Sequence, residues 1–254
     1  MPEGEIEVII DPRKTVNENA NDYFEAAKKA KEKAKRIREM IESGFELENK
    51  SAGAKEEKAM ANEKQKWFEH FRWFYSQKGF LVVAGKNANQ NEKIYKRVMR
   101  ENDLFLHAEI VGAPFTVIKN GLNADERTIA AAAQFAASYS RAWKFGYASV
   151  DVYSVRKEQL TKKVSGAYVK KGGIIITGER TWYRNTPLGL AVGYYNDKLA
   201  CFPVMCASLL KNHAKIVPGT REKEDVAREI AQKIGARVDD IVALLPAGNT
   251  AIIN

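Results

Sequence analysis

The chain has 254 residues, of which 45% are hydrophobic and 29% charged, with a formal net charge of +9. That balance describes a folded, globular protein and excludes a disordered or fibrous one. Two cysteines, Cys201 and Cys206 in C-F-P-V-M-C, are too few and too close for a disulfide framework, and no CxxC or Cys/His zinc spacing occurs. No apolar run approaches the roughly 20 residues needed to span a bilayer, and no basic stretch followed by an apolar run marks a signal peptide. A cytoplasmic protein with buried, reduced thiols is expected. The charge is uneven: residues 1–66 hold 14 Lys and Arg against 15 Asp and Glu, and residues 67–254 hold 27 against 17. The basic excess of the second part points to a polyanionic partner.

In chain order, residues 6–12 form a short apolar segment closed by Asp11-Pro12. Asn17 or Asn19 caps a long predicted helix with apolar residues every three or four positions, ended by Gly44. After a turn over 45–53, a second helix is predicted from Ala54 through Lys66 into the aromatics Trp67, Phe68, Phe71, Trp73 and Phe74. The two make a helical hairpin over 1–66. Over 67–254, strands are predicted at 80–84, 104–109, 115–119, 149–155, 173–177, 189–195, 199–204 and 214–217. Helices are predicted at 89–100, 125–143 and 221–234. This order predicts an α+β domain with a mixed, partly antiparallel sheet and packed helices.

Three places carry candidate chemistry. Between the first strand and helix 89–100 lies an amide-rich loop with Lys86, Asn87, Gln90, Asn91 and Glu92. Amides both donate and accept, which suits base edges and the ribose 2′-hydroxyl. In D-L-F-L-H-A-E, alternation places Asp103, Phe105, His107 and Glu109 on one face and Leu104, Leu106 and Ala108 on the other. Lys119 closes the next strand. The segment 141–184 has ten Lys and Arg, among them Arg141, Lys144, Lys162, Lys163, Lys170 and Lys171, against three acids. Aromatics including Trp143 are interleaved with them, and phosphate-binding lysines beside stacking rings are the ingredients of RNA binding. Lys162 and Lys163 are expected to be exposed, so that reversing their charge weakens binding and spares the fold.

No G-x-S-x-G, no Walker loop and no cysteine beside a base is present. The reading is therefore of an RNA-binding module with no catalytic residues, metal or cofactor. The alternatives are a metal-dependent nuclease using Glu92, Asp103, His107 and Glu109, and a protein-interaction scaffold built on the hairpin.

The motifs K-W-F-E-H-F-R-W-F (66–74), G-K-N-A-N-Q-N-E (85–92), D-L-F-L-H-A (103–108) and G-A-P-F-T-V-I-K-N (112–120) stand in one order. S-R-A-W-K (140–144), D-V-Y-S-V-R-K-E-Q-L-T-K (151–162), K-G-G-I-I-I-T-G (171–178), V-P-G-T-R-E-K (217–223) and L-P-A-G-N-T (245–250) continue it. Together they resemble the NFACT-R domain of the NFACT (RqcH/NEMF) family of ribosome-associated quality control. The resemblance implies contact with the large ribosomal subunit, through rRNA and/or tRNA. It also implies that the hairpin over 1–66 is a coiled-coil stub. The family's N-terminal domain and helix–hairpin–helix module do not appear in this sequence. C-terminal tailing by this chain alone is therefore not expected, and a separate protein supplying that half is an expected partner. Asn87 stands where many members have Asp, which argues against a metal or acid role there.

Overall fold

A computed structural model of the chain describes residues 66–164, 167–168 and 172–253, with isolated positions between 12 and 27. Two units separate, Met1–Gln65 and Lys66–Asn254, and the second is described here. The hairpin expected over the first lies outside the described residues, apart from scattered helical positions such as Val16 and Tyr23. No helix among the described residues is long and apolar enough to cross a membrane.

The second unit is α+β. A six-stranded sheet runs in the order β1 (Arg72–Tyr75), β2 (Leu81–Ala84), β4 (Thr116–Ile118), β3 (Leu104–Ala108), β5 (Ser149–Arg156), β10 (Thr181–Pro187). Between β5 and β10 come two small pairs, β6 (Leu160–Thr161) with β9 (Ile175–Ile176) and β7 (Lys163–Val164) with β8 (Ala167–Tyr168). A four-stranded sheet follows, in the order β12 (Lys198–Pro203), β11 (Leu190–Tyr195), β13 (Lys211–Arg221), β14 (Thr250–Ile253). The sheet expected to be only partly antiparallel is antiparallel in every described pairing.

The six-stranded sheet is buried on both faces, and the alternation of its strands sorts the side chains. Val82, Leu104 and Leu106 join Phe74 in a core shared with the second sheet, while Val83 and Phe105 join Phe68 and Phe71 in a second core. The Ala-rich helix α2 (Glu126–Ser138) lies in the first core, where Ala131, Ala132, Phe135 and Ala136 are buried. Small side chains let its axis approach the strands, and Phe135 fills the gap beside Phe74, ring centres 4.9 Å apart. Asp125 starts this helix by accepting from the Thr128 N–H at 3.0 Å.

Sequence and structure differ at two places that shape the site. The aromatic run expected to continue a helix is a turn followed by strand β1, because R-W-F-Y alternates and its large rings suit a two-sided sheet. The helix expected over 125–143 breaks after Ser138. The Ser140 hydroxyl accepts from the Ala142 N–H at 3.1 Å and starts a separate short helix, α3 (Arg141–Lys144). That break turns Arg141 and Lys144 toward the ends of β2 and β3.

Candidate nucleic-acid interface

Beyond the ends of β2 and β3 the chain forms a cleft of about 730 Å³. The loop after β2 makes one wall, the β3–β4 loop a second, and α3 with Pro246 and Ala247 a third. Among the described residues lining it, the charged ones are Arg72, Lys86, Arg141 and Lys144, and none is a carboxylate. Asn87, Asn91 and His107 also line it, so six of the residues singled out in the sequence meet here.

The amides of the loop hold the loop itself. Asn87 caps α1 (Ala88–Lys93) by accepting from the Gln90 N–H at 3.0 Å. Gln90 answers by accepting from the Lys86 N–H at 2.9 Å and donates to the His70 carbonyl at 2.9 Å. Asn91 is buried and accepts from the Phe115 N–H at 3.1 Å, which ties the loop to the start of β4. Its amide oxygen occupies the space that a Cβ on Gly85 would need, so glycine is required there. What the loop offers the cleft is therefore chiefly the Lys86 ammonium, held by a rigid, fully bonded turn.

Arg72 was not among the expected residues. Its Nη1 donates to the Gly85 carbonyl at 2.9 Å, and its guanidinium lies over the Tyr139 ring at 4.3 Å. Burial pulls its pKa below the ordinary arginine value, although it stays charged at neutral pH. Lys86 is also pulled down, first by partial enclosure and then by the Arg72 charge. Arg141 crosses close to Gly112: a Cβ there would lie 2.8 Å from Arg141 Nε, and the backbone is left-handed at φ +86. Only glycine allows that approach.

His107 projects from β3 between the cleft and a neighbouring hollow. The Tyr153 hydroxyl lies 3.3 Å from its Nδ1, and burial holds its pKa down to about 4, so the ring is neutral at pH 7.

The other expected residues are placed elsewhere. Trp143 is buried and its Nε1 donates to Thr250 Oγ1 at 3.2 Å, so it is a core residue and not a base-stacking surface. Lys119 is bound to the buried Asp103 and donates to the Val98 carbonyl at 2.8 Å. Lys162 is bound to Glu92 and mostly buried, contrary to the exposure expected of it. Glu92 also pairs with Lys96 at 2.9 Å, and these lysines hold its pKa down to about 2. Gln90 points back to the turn and Glu92 to the lysines, neither into the cleft. Lys170 and Lys171 lie outside the described residues, as does the Lys163 side chain. The acids of the nuclease alternative do not converge: Glu92 and Asp103 are engaged by separate lysines and Glu109 by Arg180. Among the described residues no three His, Cys, Asp or Glu side chains are grouped to hold a metal.

Arg72 was legible only once R-W-F-Y is a strand, since a lone arginine beside three aromatics then needs a reason. Pro246 and Ala247 carry no local signal for a place on the wall.

The comparisons with known proteins agree on one family. Residues 70–178 match the family described as the NFACT protein RNA binding domain. The chain is 41% identical over 206 residues to the archaeal Rqc2 homolog aRqcH of Methanocaldococcus jannaschii, covering 77% of this chain and 31% of that one. It is 34% identical over 173 residues to the ribosome quality control complex subunit NEMF homolog of Drosophila melanogaster, covering 65% and 17%. With the Rqc2 homolog RqcH of Bacillus subtilis it shares 27% identity over 206 residues, covering 69% and 34%. The matched part thus spans at most about a third of these relatives' lengths. Residues 70–178 belong to the NFACT RNA-binding domain family, which places this chain among the relatives of the Rqc2, NEMF and RqcH proteins.

Proposed function

We propose that this chain binds RNA through the cleft of Arg72, Lys86, Arg141 and Lys144, as part of ribosome-associated quality control. Its ligand is rRNA of the large ribosomal subunit and/or tRNA. The observation that carries the reading is the gathering of four cations, from three separated stretches of chain, into one cleft with no carboxylate on its described walls. Charge arranged this way is uncompensated and attracts a polyanion, whereas a lysine beside a glutamate does not. Membership of a family described by RNA binding, and relatives named for ribosome quality control, support the same choice.

The test is cosedimentation with purified large subunits, and tRNA binding, across a salt series. Affinity falls steeply with salt, with a slope of about −0.7 to −0.9 for each phosphate neutralised. The triple variant Lys86→Glu, Arg141→Glu, Lys144→Glu loses binding at every salt concentration. Binding that ignores salt, or no binding to either RNA at low salt, overturns the proposal.

A further inference from the structure

The basic cleft opens into a second hollow of about 450 Å³, with which it shares His107, Val111, Tyr153 and Ile174. Its floor holds two rings, His107 and Tyr153, of a row that crosses three strands and continues to Trp182 outside the hollow. His107 of β3 stands opposite Tyr153 of β5, and Tyr153 stands opposite Trp182 of β10. Residues paired across strands share a face. Their ring centres are 5.8 Å and 5.3 Å apart. The Arg180 guanidinium lies over the Tyr153 ring at 4.6 Å, and Arg184 lies over Trp182 at 4.1 Å. Ile174, Ile175 and Ile176 complete the lining with apolar surface. At the edge, Glu109 holds Arg180 at 3.4 Å.

The chemistry of this hollow differs from that of the cleft. The cleft presents four cations and no carboxylate among its described residues, which suits phosphates. The hollow presents the His107 and Tyr153 rings, the Arg180 guanidinium and an apolar wall, with the Glu109 carboxylate at the rim. Both ring groups of the floor are neutral at pH 7, because burial lowers the His107 pKa to about 4 and raises that of Tyr153 to about 12. A neutral, largely apolar hollow with a planar guanidinium matches a heterocyclic base: Arg180, lying over the buried Tyr153 ring, can stack on its face, and Glu109 can meet its polar edge. The volume is within the range of about 300–1,000 Å³ typical of small-molecule pockets.

We propose that this hollow receives an unpaired nucleobase of the RNA whose phosphates lie along Lys86, Arg141 and Lys144. The inference rests on the proposed RNA-binding role and narrows it to RNA with an extruded or single-stranded nucleotide. A duplex keeps its bases stacked inside and cannot fill the hollow. Stacking on the Arg180 guanidinium, which itself rests on the Tyr153 ring, is tolerant of base identity, since every base has a π-face.

The experiment compares a short single-stranded RNA carrying one fluorescent purine analogue with the same strand annealed to its complement. The wild-type chain binds the single strand about tenfold more tightly than the duplex, the size expected of one stacked base. The analogue's fluorescence is quenched on binding. Arg180→Lys keeps the charge and loses the planar guanidinium. It abolishes the quench and brings the two affinities to within about twofold, while the salt slope stays that of the wild type. Equal affinity for single strand and duplex in the wild type, or an Arg180→Lys protein that quenches and discriminates like the wild type, overturns the inference. These outcomes are separable from failure of the parent reading. Salt-dependent binding that disappears in Lys86→Ala and Arg141→Ala, with no single-strand preference, removes only the base site. No binding to either RNA at low salt removes both.

Discussion

Two sets of lysines and arginines in this domain have the same composition and opposite electrostatic meaning. Lys119 and Lys162 are each locked to a carboxylate: Asp103, 1% exposed, and Glu92, whose pKa is held down to about 2. Arg72, Lys86, Arg141 and Lys144 line a cleft without a carboxylate among its described residues, and the Lys86 pKa is pulled down first by partial enclosure and then by the Arg72 charge. The first set stabilises the fold by neutralising Asp103 at the start of β3 and Glu92 on α1. The second set leaves a net positive field facing solvent. A formal charge of +9 sums both kinds, but only the second kind leaves charge uncompensated, the condition for attracting a polyanion.

The comparison is most severely tested at Asp103. This carboxylate also accepts from the Arg100 N–H at 2.7 Å and the Asn120 N–H at 2.8 Å. Removing one partner of a buried, multiply bonded pair is costly, so Asp103→Ala lowers stability by about 3 kcal/mol in denaturant unfolding. A drop under about 1 kcal/mol would mean that Lys119 is a solvated lysine after all.

His107 gives the next largest effect. Its folded pKa of about 4 lies below the ordinary 6.5, so the unfolded chain takes up the proton first. Its contribution is complete above pH 6.5, is lost as pH falls toward 4, and changes no further below that. The decrease reaches about 3 kcal/mol at most. Unfolding midpoints across this window measure it, and His107→Gln flattens the profile.

Lys162→Glu sets a second carboxylate against Glu92 and costs about 1 kcal/mol. It also moves the Glu92 titration, followed by NMR, up from about 2 toward its ordinary range. An unchanged titration would show that Lys162 does not hold Glu92. The smallest stability effect belongs to the cleft: Arg141→Ala with Lys144→Ala changes unfolding free energy by no more than about 0.5 kcal/mol. It flattens the salt slope of RNA binding by about 0.7–0.9 for each phosphate that the missing cation had neutralised. Unfolding of this double variant, or an unaltered slope, would erase the distinction between the two sets.

Much of the fold was legible because period-two alternation is a strong constraint. The β3 reading, with Leu104, Leu106 and Ala108 on one face and Phe105 and His107 on the other, matches the division between the two cores. The helix after the amide loop was also legible, yet its cap is Asn87, and a six-residue helix is followed by a π-helical turn over Ile94–Val98. The aromatic run 67–74 was misread because Trp67, Phe71 and Phe74 fall at four- and three-residue spacing and imitate a helix, while the choice between periods was settled by pairing with β2. The strands Thr181–Pro187 and Thr250–Ile253 are short or polar and acquire their identity from β5 and β13.

The amide loop shows the same limit at the site. Four amides in seven residues read as ligands, but Asn87, Gln90 and Asn91 are consumed by the turn, because a strand end meeting a short helix leaves backbone groups that need partners. The sequence by itself determined the α+β class, the basic bias of the second unit and the loops that border the cleft, since periodicity, composition and turn residues are local properties. Only the tertiary structure decided which cations are neutralised and which face the cleft, that Arg72 belongs to it, and that Trp143 does not. Those outcomes depend on which groups meet across the sheet, and charge and burial are properties of neighbours brought together by folding.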